Sequence, residues 1–312
     1  MKTTWTRLLC ALIWFGTCIG ISSAAHAQTD YRNFEAQPAL WTLSDADSTV
    51  YLFGTIHVMP EGLDWKTSAI EAALADSEAV MFEIDLFSPQ GQQAIAREFS
   101  ERGFNTSSVP LMDMISPEAL INLQTLEAQV RASNPELPAG ALISALNVRK
   151  PWLAYLMVVL ETANLQGYSQ SQAIETQLHP LVKDKTFLFA ETVAEQIDAF
   201  DTLGLDRQTE ILEIALDEAV NDPGALSELV QIWARGDMAG LGALLTEDMQ
   251  TEAPELYQSL IVQRNLNWMD DIQAALARSD DVFVAVGAAH MVGPDGLVVL
   301  LQSQGLNVSR LD

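Results

Sequence analysis

Residues 50–62, VYLFGTIHVMPEG, form an apolar, β-branched run that stops at Gly54, with His57 three residues on. Residues 282–296, VFVAVGAAHMVGPDG, repeat the arrangement with Gly287 and His290. Apolar runs of this kind bounded by glycine read as buried strands. Two of them, near opposite ends of the chain and each ending in Gly-x-x-His, constrain the fold more than any other feature. In open α/β sheets ligands collect at the carboxyl ends of strands, which is where both histidines fall. Glycine lacks a Cβ, so Gly54 and Gly287 permit a sharp exit or a close backbone approach. A single Gly-x-x-His is short and common, and a turn cap or a core hydrogen bond would explain it. Residues 28–312 contain only three histidines, however, and two of them share this context. That points to a common site, since histidine is the usual side chain for metal ligation and for acid–base work near neutral pH.

Around these units the pattern is a βα frame enclosing a helical middle. TVYLF (49–53) is strand, and SAIE (68–71) resembles a capping box opening a helix to about residue 76. AVMFEIDL (79–86) alternates, with Val80, Phe82, Ile84 and Leu86 on one face and Met81, Glu83 and Asp85 on the other. From about 89 to 182 the apolar spacing turns helical, interrupted at Pro110, Pro117, Pro135, Pro138 and Pro151. TFLFA (186–190) returns to strand, and TVAE (192–195) is a second capping box opening a helical stretch to about residue 279. DVFVAV (281–286) is strand, PDGLVVLLQSQG (294–305) helix, and LNVSRL (306–311) a last strand. The expected class is α/β: a mixed central sheet flanked by helices, assembled from both ends of the chain, with a large helical insertion at about 89–182.

The first residues bound where such a chain works. Lys2 and Arg7 precede an apolar stretch from Leu8 to Ile21, and Ala25-His26-Ala27 is a small-x-small cleavage site. This reads as a secretory signal over residues 1–27, leaving one domain over 28–312 in the periplasm or outside the cell. No later stretch is long and apolar enough to be expected to span a bilayer. Both cysteines, Cys10 and Cys18, lie in the leader, so a metal held by the remainder must take nitrogen and oxygen ligands. The formal net charge is −26, with acidic residues dispersed. Such a surface repels phosphate backbones, which argues against a nucleic-acid partner and mildly favours cationic peptides.

Carboxylates at strand ends complement the histidines. Glu83 lies near the end of its strand and Glu191 directly follows TFLFA. Each is a candidate metal ligand or general base. The plainer alternatives are a solvated polar face for Glu83 and a helix-dipole contact for Glu191. VQRNLNWMDDI (262–272) adds Arg264 and Asn265 on a helical pattern, with Trp268 and Met269 at core spacing. Arg264 could equally pair with the plentiful surface acids. His179, before Pro180 at an expected helix end, is taken as structural.

YLFGTIHVMPEG, FEIDL, AETVAEQ, VQRNLNWMDDI and VFVAVGAAHMVGPDGLVVLLQSQGLNVSRL occur in this order. Together they resemble the TraB/PrgY/GumN family, which includes the TIKI secreted proteases, over essentially the whole chain after the leader. The resemblance implies a core like that of the erythromycin-esterase and ChaN superfamily. It also implies a site built from His57, His290, Glu83 and Arg264. Glu191 fits a Leu-Glu-Thr-x-x-x-Gln stretch of the family, read here as Ala190-Glu191-Thr192 with Gln196. The resulting expectation is an exported hydrolase dependent on a divalent metal (Mn, Co or Zn) and acting on a peptide or protein substrate. His57, His290 and a glutamate, Glu83 or Glu191, would ligate the metal, the other glutamate would be general base, and Arg264 would stabilise the oxyanion. Two alternatives accompany it: a metal-free esterase-like hydrolase with a histidine base held by a glutamate, and a non-catalytic protein that sequesters a peptide.

Overall fold

The computed structural model describes residues 30–311, apart from the side chains of 248 and 252. The expected leader therefore lies outside the described residues. The main sheet takes β1 (Leu40–Ser44), β2 (Thr49–Thr55), β4 (Ala79–Phe82), β6 (Thr186–Phe189), β7 (Val282–Gly287) and β8 (Val308–Leu311) in the order β6-β4-β7-β2-β1-β8. The four strands from β6 to β2 run parallel, while β1 is antiparallel to both of its neighbours. The sheet is thus mixed, as expected from the sequence. Its parallel interior sends four carboxyl ends to one edge.

Side-chain alternation explains why the strands read as continuous apolar runs. Val50, Leu52, Met81, Val282 and Val284 pack on one face with Trp268 and Leu297. Phe53, Val80, Phe82, Phe283 and Ala285 pack on the other, in the larger core. A parallel sheet covered on both faces needs apolar residues on both.

Between β4 and β6 the chain forms helices Pro89–Arg102, Leu111–Met114, Pro117–Ser133, Ala141–Asn147, Pro151–Leu165 and Ile174–Val182. Pro89, Pro117 and Pro151 stand in first turns, where the missing N–H costs no helical bond. This region also holds the loop after β2. Its short strand β5 (Tyr168–Ser169) pairs with β3 (Met59–Pro60), and the N–H of Ile174 donates to the carbonyl of Ile56 at 3.2 Å.

Several local expectations shift. The first capping residue is Thr67, not Ser68, its side chain accepting from the N–H of Ile70, so helix Ser68–Asp76 starts one residue earlier than the expected box implies. Strand character after Ala79 ends at Phe82, and the last helix is shorter than expected, Leu297–Ser303. His179 lies in the last turn of helix Ile174–Val182, near the helix end as expected, with its ring 4.0 Å from that of Phe87, a packing role. Strand β1, which the sequence reading passed over, hairpins onto β2.

Candidate functional site

The parallel register brings the expected residues together. Thr55 pairs with Gly287 across β2 and β7, and Phe82 pairs with both Ala285 and Phe189. Backbone pairing continues one step past the strands, the N–H of Glu191 donating to the carbonyl of Glu83 at 2.9 Å. His57, Glu83, Glu191 and His290 therefore leave neighbouring strand ends at one edge. Gly54 is needed there: a Cβ on it would lie 3.0 Å from Cα of Ala288, in the turn carrying His290. Arg264 arrives from helix Gln263–Leu276, with Trp268 one turn on beneath its guanidinium, 4.7 Å from ring centroid to Cζ. His57, Glu83, Arg264 and His290 are each 6 % exposed or less.

Arg264 is the hub. Its Nη2 donates to Glu83 and to Glu191, both at 2.6 Å, and its Nε to Glu191 at 3.0 Å. Its Nη1 reaches the carbonyl of Leu260 at 3.3 Å and Nε2 of His290 at 3.0 Å. A guanidinium has five N–H groups, and these contacts use all five. Burial alone would weaken the charge of Arg264, but the two glutamates outweigh it and hold the pKa above its ordinary value. Glu191 moves up, because burial outweighs the attraction of Arg264. The side-chain amide of Gln196 spans both carboxylates, at 3.0 Å to Glu83 and 3.1 Å to Glu191, and the N–H of Gly287 donates to Glu83 at 2.7 Å.

The state of His290 follows from its neighbours. Nδ2 of Asn265 donates to the carbonyls of His290 (3.2 Å) and Asp295 (2.7 Å), so its Oδ1 faces the ring. An amide oxygen only accepts, so Nδ1 of His290, 2.6 Å away, carries the proton. Nε2 is then the acceptor that Arg264 requires. Burial, then the charges of Arg264 and His57, push the pKa of His290 well below its ordinary value. His290 is a neutral, fully partnered ring.

His57 meets the opposite surroundings. Its Nδ1 lies 2.9 Å from Oε1 of Glu175, too poorly aligned for a straight hydrogen bond, so the attraction is chiefly one of charge. Its Nε2 is 4.0 Å from Glu83 and finds no hydrogen-bond partner among the described residues. Burial lowers the pKa, but Glu175 and then Glu83 outweigh it and hold His57 above its ordinary value. Burial would raise Glu175; His57 outweighs that and brings it below the usual carboxylate range. The sequence reading missed Glu175. A signal was present, because Glu175, Leu178 and Val182 share the buried arc of their helix, an acid among apolar positions.

A metal held by His57, His290 and Glu83, the ligand set expected from the sequence, does not fit this arrangement. The guanidinium of Arg264 stands between Glu83, Glu191 and Nε2 of His290, where a shared cation would have to be. Among the described residues no three of His, Cys, Asp and Glu are placed to hold a metal ion. Arg264 likewise has no free N–H to offer an oxyanion. No helix of the described residues is long and apolar enough to cross a membrane. No curated protein and no solved structure matches the chain. The family match spans residues 39–310, covering the sheet, the helical region within it and every side chain of this cluster, and the chain therefore belongs to the TraB/PrgY/gumN family.

Proposed function

We propose that this protein is a hydrolase in which His57 is the general base that activates water and Glu175 is its positioning residue. The supporting observation is the buried His57 ring, with one nitrogen against a carboxylate and the other without a partner beside Glu83. A base of this kind takes a proton from water at Nε2, and the charge of Glu175 stabilises the imidazolium formed. Glu83, held by Arg264, Gln196 and the Gly287 N–H, adds a second negative charge on the Nε2 side. The reading assigns Arg264 to holding the two carboxylates and His290 to orienting Arg264. No step is routed through a metal.

A peptide is the proposed substrate class. The resemblance to TIKI-type members favours it, and a net charge of −26 favours cationic chains over anionic ones. The proposed place of action is the periplasm or the medium, to which residues 1–27 would direct the chain.

The test is cleavage of a mixed peptide library by the mature chain, read by mass spectrometry, with ester substrates in parallel. Because the pKa of His57 is raised, its base form appears only as pH climbs past the ordinary value of about 6.5. The rate should therefore rise through an apparent pKa above that value. Glu175→Gln should move the inflection to lower pH and reduce the rate. A pH profile unchanged by Glu175→Gln would refute the positioning role. Absence of cleavage of any peptide or ester would refute the hydrolase and leave the sequestering protein as the better reading.

A further inference from the structure

We propose that the open edge of β6 is a docking strand for an extended, cationic peptide, which adds to the main sheet beside a strip of half-buried aromatic rings. The proposal rests on the peptide reading above and names where and how such a chain binds. Among the described residues β6 pairs only with β4, so its far side is open. The N–H of Thr186 donates to the carbonyl of Glu78, and that of Ala190 to the carbonyl of Phe82. Thr186, Leu188 and Ala190 therefore face β4, while Phe187 and Phe189 aim their N–H and carbonyl groups away from the sheet. Edge strands are ordinarily guarded by charge, proline or a bulge. Thr186-Phe187-Leu188-Phe189 carries none of these. An extended chain laid along it gains main-chain hydrogen bonds, with the neighbouring side chains setting preference.

The side chains beside this edge suit alternate residues of such a chain. Phe187 and Phe189 project from one face of β6, and Phe189 is 39 % exposed. The ring of His179 stacks on Phe87 at 4.0 Å and on Phe187 at 5.6 Å, and all three are half-buried. Glu175 lies one turn before His179 on the same helix, and Phe87 follows Glu83 on the chain. The strip thus borders the buried cluster, and β6 itself leads into Glu191. β2, which leads to His57, is three strands from β6, about 14 Å, so a chain on the open side lies about 19 Å away. About six extended residues cover that distance, so a docked peptide reaches His57 by crossing the strand ends. Charge selects this occupant over a second copy: two chains at −26 repel each other, whereas a cationic peptide is attracted. An edge of four residues is also far smaller than the roughly 1,200 Å² that a stable protein interface buries.

The test uses the full mature chain carrying His57→Gln, so that binding is read without turnover. The probe is a fluorescein-labelled peptide of alternating Lys and Phe. Backbone N-methylation of one alternate set, every Lys or every Phe, should weaken binding about tenfold, and methylation of the other set should change it little, because only one set faces β6. Phe189→Pro removes an outward N–H and leaves the ladder with β4 intact, as proline on an edge strand does. It should bind about tenfold more weakly than Phe189→Val, which loses the ring but keeps the N–H. Hydrogen exchange needs no edge substitution: saturating peptide should slow the amides of Phe187 and Phe189 at least about tenfold, while Leu188 is already slow without it. Equal losses from both methylated sets, or edge amides indifferent to peptide, would overturn the proposal. So would a folded chain that binds no version of the probe, or edge amides protected by raising protein concentration alone, which would assign the edge to a second copy. Docking without cleavage by the unsubstituted chain supports this proposal and counts against the hydrolase. Cleavage with none of these edge effects supports the hydrolase and overturns the docking strand.

Discussion

His57 and His290 follow neighbouring parallel strands through the same Gly-x-x-His spacing, yet one faces a carboxylate and the other a guanidinium. At His57 the nearest charge is Glu175, which favours the protonated ring. At His290 it is Arg264, which together with burial disfavours it. His290 has both nitrogens partnered, whereas Nε2 of His57 has no partner among the described residues. A repeated local motif thus delivers two rings to one edge, and elements distant in sequence give them opposite electrostatics. The helical region supplies Glu175 to the first, and helix Gln263–Leu276 supplies Arg264 and Asn265 to the second.

The sharpest way to break this comparison is to remove each ring in turn. His57→Gln should retain the fold and lose about 10²–10⁴-fold in rate, the usual size of lost acid–base catalysis. His290→Gln should act first on stability. It leaves a buried N–H of Arg264 and the oxygen of Asn265 imperfectly paired, at a cost of about 1–3 kcal/mol. Steady-state rates together with urea midpoints separate the two effects. Equal rate losses with unchanged stability in both variants would mean that the rings act as one unit.

A smaller effect lies in the pH dependence of stability. His57, with its folded-state pKa raised, stabilises fully below the unfolded value of about 6.5. That contribution is lost as pH rises through the folded value. His290, with its folded-state pKa depressed, refuses a proton that the unfolded chain accepts below about 6.5, so stability falls as pH drops from there. Each slope approaches about 1.4 kcal/mol per pH unit where a full proton is exchanged. Urea midpoints between about pH 5 and 8 should show His57→Gln flattening the alkaline side and His290→Gln the acid side. Comparing variants with wild type cancels the carboxylates, including Glu191, whose raised pKa acts against His290 on the acid side.

The smallest effect tests whether the carboxylate half is set by local structure. Thr192 and Glu195 form a reciprocal capping box directly after Glu191. Thr192→Ala should lower stability by about 1 kcal/mol and leave the rate nearly unchanged, because backbone pairing with Glu83 and the contacts to Arg264 hold Glu191 independently. A large rate loss would show that the cap positions the carboxylate.

Much of this was legible in residue order. The paired strand endings, the second capping box and the apolar runs placed His57, Glu83, Glu191 and His290 at strand ends, and the helical spacing placed Arg264 near a core-packed Trp268. Periodicity and turn chemistry are local, so a linear reading recovers them. What each group is bonded to was decided only by the tertiary structure. Glu175 sits next to His57 because Ile174 hydrogen-bonds Ile56 and β5 pairs with β3, contacts between segments far apart in the chain. Arg264 is a buried hub, not a partner for surface acids, because parallel pairing of β4, β6 and β7 converges two carboxylates and an imidazole on one point. Charge state depends on burial and on the nearest opposite charge. Both are properties of three-dimensional neighbourhood, which is why two identical Gly-x-x-His spacings end in histidines of opposite character.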